Sequence, residues 1–185
     1  YVQNGEVFVY NPITKKARQL TDNRSIVLQD QRDDRRTSRS TTAAIADGFD
    51  FPVGKPDGSG YAPSGWEFLQ WTGSVYHPGE DWNGAGGGDT DLGDPVYAVA
   101  NGTVIDSNYY TPNWGNIILI EHVLPDGSKV WSQYAHLKDR MANIGKEVNK
   151  GDQIGTIGKG AAGYWAHLHF EIRTKYRSAS AWVTG

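Results

Sequence analysis

Four of the five histidines in this chain fall in three short motifs, His77-Pro-Gly-Glu-Asp81, Tyr134-Ala-His136-Leu and His167-Leu-His169-Phe-Glu171. Imidazole and carboxylate are donors that suit a catalytic zinc ion (Zn2+), which takes three protein ligands and leaves a fourth position to water. Two His and one Asp fill such a set. The two remaining His are suited to moving protons, since an unperturbed imidazole changes charge near pH 6.5. The chemistry that these residue types suit is metal-assisted hydrolysis.

The backbone around each motif decides whether its side chains can converge. Strand side chains alternate faces, so in His167-Leu-His169-Phe-Glu171-Ile-Arg173 the polar residues share one face and Leu168, Phe170 and Ile172 share the other. That segment reads as a half-buried strand presenting two imidazoles, with Glu171 on the same face as an acceptor able to orient one of them. Around His77 and Asp81, Pro78-Gly79 resists helix and favours extended or turning backbone, which excludes a helical pair of ligands one turn apart. Gly79 removes a side chain that would crowd an ion held between 77 and 81. The run Val130-Trp-Ser-Gln-Tyr-Ala-His136 reads as a strand with Ser132, Tyr134 and His136 on one face and Trp131 and Ala135 on the other. His122 ends an apolar run beside Glu121 and is expected to be structural.

Motif order now carries a resemblance. His77-x-x-x-Asp81, Gly93-Asp-Pro-Val-Tyr-Ala, Gly115-Asn-Ile-Ile-Leu-Ile-Glu-His122, Tyr134-Ala-His-Leu, Val148-Asn-Lys-Gly-Asp-Gln-Ile-Gly155 and His167-Leu-His-Phe-Glu171 follow one another as in lysostaphin-type zinc endopeptidases, over about residues 51–173. The resemblance implies zinc held by His77, Asp81 and His169, with His136 and His167 assisting catalysis. It implies a zinc metalloendopeptidase that cuts peptide bonds of bacterial peptidoglycan, in stem-peptide cross-links or glycine-containing bridges. It also implies a place in the periplasm, in the cell envelope or outside the cell. Two stretches depart from the family's pattern. The connection Trp82-Asn-Gly-Ala-Gly-Gly-Gly-Asp-Thr-Asp91 is longer and richer in glycine, and Lys159-Gly-Ala-Ala-Gly-Tyr-Trp-Ala166 replaces a hydroxyl-rich run with aromatics. Residues 84–88 and Tyr164-Trp165 are expected to border the substrate groove, the two aromatics as flat contact area. Asp89 and Asp91 lack the ligand count of a calcium loop and read as solvated carboxylates.

The frame for these motifs is all-β. Asn116-Ile-Ile-Leu-Ile-Glu-His-Val123 suits a central strand, Pro125-Asp-Gly-Ser128 a turn into the strand ending at His136, and the segment from Val148 to Gly158 a further strand and turn. No amphipathic helix is visible. An antiparallel β-roll or sandwich with loop insertions follows, and the resemblance implies the duplicated hybrid motif type. Upstream, Glu6-Val-Phe-Val-Tyr10 and Lys16-Ala-Arg-Gln-Leu20 read as a short hairpin around Asn11-Pro12, and residues 29–42 as a solvated, mixed-charge linker. The expected division is residues 1–47, hairpin and linker, and residues 48–185, the zinc domain.

Composition bounds the rest. A net charge of −3 gives no electropositive footprint for nucleic acid, and no apolar run approaches the roughly 18 residues of a membrane helix. There is no cysteine, so redox reasoning says nothing of compartment. The chain is expected to act as a monomer on a peptidoglycan peptide, and its start at Tyr1 suggests a processed or trimmed precursor. Two other classes compete. A non-catalytic wall-binding module of the same fold is opposed by the complete ligand and proton-carrier sets. A barrel-sandwich carrier domain, suggested by Val148-Asn-Lys-Gly-Asp-Gln-Ile-Gly155, explains none of the histidines.

Overall fold

The computed structural model describes residues 44–181 apart from 112 and 161–163, together with the backbone of three short N-terminal strands. Those are β1 (Val2–Gln3), β2 (Glu6–Asn11) and β3 (Lys16–Gln19), an antiparallel sheet in the order β1-β2-β3. The expected hairpin is therefore present as β2–β3. The expected linker at 29–42 lies outside the described residues.

From residue 44 onward the chain is strands and turns, with no helix among the described residues. In order come β4 (Tyr61–Pro63), β5 (Glu80–Gly84), β6 (Pro95–Tyr97), β7 (Gly102–Tyr110), β8 (Gly115–Val123), β9 (Lys129–Arg140), β10 (Glu147–Val148), β11 (Gln153–Ile157) and β12 (Leu168–Arg173). The main path runs β10-β7-β8-β9-β12-β5-β4 and is antiparallel throughout. β9 is long because it serves two neighbourhoods. Its first half lies between β8 and β12, while its end, from Leu137 to Arg140, pairs with β11, which in turn pairs with β6. This bending of one strand from sheet to sheet gives the expected β-roll.

The core fills the inside of that roll. Ile118, Ile120, Val130, Tyr134, Leu168 and Phe170 meet Val96, Val99, Ile154 and Ile157 from the second layer, with Phe49, Phe51 and Val53 of the entering segment beside them. Burying one such side chain is worth about 1.5–3 kcal/mol. β8 is apolar on both faces because both are covered, as a central strand requires: Ile118 and Ile120 face this core, and Ile117 packs with Trp114, Ala135 and Ala179 on the other side. The turn at Pro125-Asp-Gly-Ser128 closes the β8–β9 hairpin, with Gly127 at φ 78° and the Ser128 amide capped by Asp126.

His122 is structural, as expected. Fully buried, its Nδ1 donates to the Asn101 carbonyl (2.8 Å) and its Nε2 accepts from Ser132 Oγ (2.7 Å), which shares a hydrogen bond with Tyr134. The Tyr134 hydroxyl accepts from the Val99 amide. Burial pushes the His122 imidazole down to about 4, so this chain of hydrogen bonds holds it neutral.

Candidate metal centre

Asp81 and His169 are direct cross-strand partners, Asp81 on β5 and His169 on β12, which puts their side chains side by side on one face of the sheet. His77 enters from the segment just before β5. Its amide donates to Gln70 and its carbonyl accepts from Leu69, while the Asp81 amide and carbonyl pair with Trp66 and Ser64. The stretch 64–70 thus braces both residues along their backbones. Gly79 is glycine for a different reason than crowding of an ion. A Cβ there would lie 2.3 Å from the Phe170 carbonyl and 2.7 Å from the Glu171 side chain, so β12 could not pass.

One nitrogen or oxygen from each of His77, Asp81 and His169 lies within 4.8 Å of the others, and all three residues are buried. His169 Nδ1 is 3.0 Å and His77 Nε2 3.3 Å from Asp81 Oδ1. The other nitrogen of each ring is already engaged. His77 Nδ1 donates to the Gly79 carbonyl (2.7 Å), and His169 Nε2 donates to Glu171 Oε1 (3.0 Å). Fixing the far nitrogen as a donor leaves the near one as a lone pair, the tautomer that a metal ligand needs.

Charge points the same way. Burial opposes ionisation of Asp81, yet His169 and His77 hold its carboxyl well below the usual range. Glu171, likewise buried, is held low by His169 and Arg173. Burial disfavours a charged His169, but Asp81 and Glu171 push it up to about 9. Two buried carboxylates against one Arg therefore call for another positive charge, which a proton on His169 supplies in the ion-free protein. The donor set fits a divalent cation.

The face of β12 that alternation assigns to His169, Glu171 and Arg173 is correct, but it is dry. These residues are 2%, 2% and 5% exposed. Glu171 joins them: its Oε1 accepts from Gln133 Nε2 (2.8 Å) and its Oε2 from Arg173 Nε (2.7 Å). Arg173 Nη1 donates onward to the carbonyls of Arg177 (3.2 Å) and Ser178 (3.0 Å), so the C-terminal segment covers this face.

His136 corrects the sequence reading. By alternation it shares a face with Ser132 and Tyr134, and those two are buried in the core, away from His169. The residue instead has φ 61°, and β9 shifts register against both β8 and β11 at this point. That bulge turns its ring to the other face, 4.8 Å from the His167 ring and 5.6 Å from His169. Trp114, which sequence reasoning missed, holds it there. The indole stacks on His136 at 6.3 Å and meets His169 edge-on at 5.3 Å, and its carbonyl accepts from both the His136 amide and Nδ1 (3.1 Å each). Burial, with His169 and His167 alongside, pushes His136 down to about 3. His167 Nδ1 donates to the Trp165 carbonyl (2.8 Å), leaving Nε2 toward Asp81 Oδ2 at 3.8 Å. All four histidines of the three motifs are thus brought together.

The rim also departs from expectation. Asp91 is not solvated, whereas Asp89 is exposed, as expected of a loop carboxylate. Asp91 is 2% exposed and accepts from the Gly84 amide (3.0 Å), pinning the glycine-rich turn. Asp89 reaches across to the segment preceding β12, accepting from the Ala166 amide (2.9 Å) and pairing with Lys159 (2.5 Å). Tyr164 and Trp165 are exposed beside it, as a groove wall would be.

Comparison with known proteins adds a lineage to this geometry. The profile of Peptidase family M23 matches residues 76–181, more than half of the chain and all four motif histidines. The chain is 30% identical over 90 residues to the peptidoglycan DD-endopeptidase ShyA of Vibrio cholerae, covering 49% of this chain and 20% of that one. It is 32% identical over 88 residues to the murein hydrolase activator NlpD of Salmonella typhimurium, covering 48% of this chain and 22% of that protein. The chain spans about a fifth of the length of these two relatives. Among solved structures, a zinc-containing peptidase from Vibrio cholerae superposes with a TM-score of 0.55 at 29% identity, over 69% of this chain and 37% of that one.

Proposed function

The chain belongs to peptidase family M23, and from that premise we propose that it is a zinc-dependent endopeptidase hydrolysing peptide bonds of bacterial peptidoglycan in the cell envelope. The observation that carries the reading is the convergence of His77 Nε2, Asp81 Oδ1 and His169 Nδ1, each ring held by an acceptor on its far nitrogen. A zinc ion held by these three would supply Lewis acidity and acidify water to near neutrality. The remaining chemistry belongs to the chain itself. His136, neutral and with Nδ1 committed to Trp114, keeps Nε2 as an acceptor for the proton that leaves the attacking water. His167, likewise held through Nδ1, faces the same space and, when Nε2 also carries a proton, steadies the oxyanion or gives that proton to the leaving amine, the proton taken by His136 restoring it in turn. Glu171 and Trp114 orient the rings, and the dry face of β12 keeps those charges strong.

A second reading rests on the relative named as a murein hydrolase activator: a module that binds the wall without cutting it. The five-residue set supports catalysis over this. The deciding experiment measures zinc content and the release of amino termini from purified peptidoglycan. About one zinc per chain, lost in Asp81→Ala and His169→Ala, and chelator-sensitive amine release restored by zinc are expected. Full zinc in both variants would remove the ligand assignment. Zinc-loaded protein that binds the wall and frees no amine would make the activator the better description.

A further inference from the structure

Next to His136 lies a cleft of about 370 Å³ that the mechanism above does not use. Its position is fixed by two glycines: a Cβ at Gly160 would sit 2.8 Å from the His136 ring, and one at Gly115 3.8 Å from its Cα. The cleft therefore opens directly beside the proton-accepting ring. Its size falls at the low end of ligand pockets, about 300–1,000 Å³, and its floor is the buried Leu137. Leu92 and Tyr109 line it while 44% and 64% exposed, a large apolar outlay for surface residues.

Two cations complete the lining, Lys138 and Lys159. Lys159 is matched by Asp89, whereas Lys138 makes no ion pair among the described residues. One positive charge is left over, next to an apolar wall and one residue pair beyond His136 on β9. The cleft begins beside the His136 ring, whose centroid is 5.6 Å from that of His169, so it lies within reach of a residue flanking the scissile bond. Resting on the peptidoglycan reading, we propose that the cleft is a specificity subsite for a carboxylate-bearing residue of the peptide, with Lys138 as its counter-charge and Leu92 and Tyr109 against its aliphatic part. Stem peptides carry such carboxylates, and their amidated forms are nearly isosteric without the charge.

The test uses cross-linked stem-peptide dimers with each free carboxylate amidated in turn, so that the carboxylate in the cleft is identified. Wild-type protein should favour the free acid at one position by about tenfold in kcat/KM, carried by KM. Lys138→Met should lose that preference by weakening the acid form alone, and Lys138→Arg should keep it. Raising salt should erode the preference, since the pair is partly exposed. Equal kcat/KM for acid and amide in wild type, or an equal loss on both in Lys138→Met, would overturn the proposal. Should zinc-loaded wild type cleave neither form, the peptidase reading fails, and the same acid-over-amide comparison read as Kd by calorimetry, wild type against Lys138→Met, still decides the subsite.

Discussion

His136 owes its place to a single backbone torsion. At φ 61° a non-glycine residue sits in a sparsely populated region costing on the order of 1–3 kcal/mol, and the bulge in β9 together with the Trp114 carbonyl keeps it there. Strain retained in this way turns a core-facing position into a site-facing one. His136 and His167 make no near contact with Asp81 Oδ1, where His77 and His169 converge. Replacing either by Ala should therefore leave zinc content and fold intact while lowering turnover by about 10²-fold or more, read by metal analysis beside amine release. Wild-type rates in both variants would show that the proton carriers are other groups. Asp81, His169 and Glu171 differ, because truncating any of them strands buried charge.

At the level of strands, alternation made half of the centre legible. The period-2 pattern of β12 separates Leu168 and Phe170 from His169, Glu171 and Arg173, and the continuous apolar run of β8 announces a strand covered on both faces. What alternation could not carry is a break in itself. The reversal at His136 depends on β9 changing partners from β12 to β11, a tertiary event with no local signature beyond the nearby Gly115 and Gly158. The partners of the exposed Asp89 are hidden from the sequence for a similar reason, since they lie 70 and 77 residues away. The β8–β9 hairpin also carries a pH dependence. His122, depressed to about 4 when folded and about 6.5 when unfolded, makes the unfolded chain bind the extra proton between those values. Stability should then fall as pH drops from about 6.5 to 4, by up to roughly 3 kcal/mol from this residue. His136 acts with the same sign, whereas the raised His169 loses its contribution only on the alkaline side. Urea unfolding of the ion-free protein at pH 6.5 and 4 should show a smaller acid loss in His122→Gln than in wild type, and identical losses would sink the assignment.

For the molecule as a whole, the N-terminal strands and the roll pose a question of independence. We propose that the zinc domain begins just before Ala46 rather than at residue 48, since the Ala46 amide donates to Val123 and its side chain joins the core with Phe49 and Phe51. A chain beginning at Ala44 should stay soluble and retain the full chain's rate of amine release, whereas insolubility or lost activity would mean that the hairpin completes the roll. At the other end, Arg173 fastens the carbonyls of Arg177 and Ser178 to the same carboxylate that orients His169. Coupling between two places is reciprocal, so whatever that fastening contributes to cation affinity must return to the fastening when the cation arrives. Zinc should accordingly slow amide hydrogen exchange across residues 177–181, well beyond the ligands themselves, and Glu171→Gln should disconnect the two. The tail of this chain would then report the occupancy of a centre that it never touches.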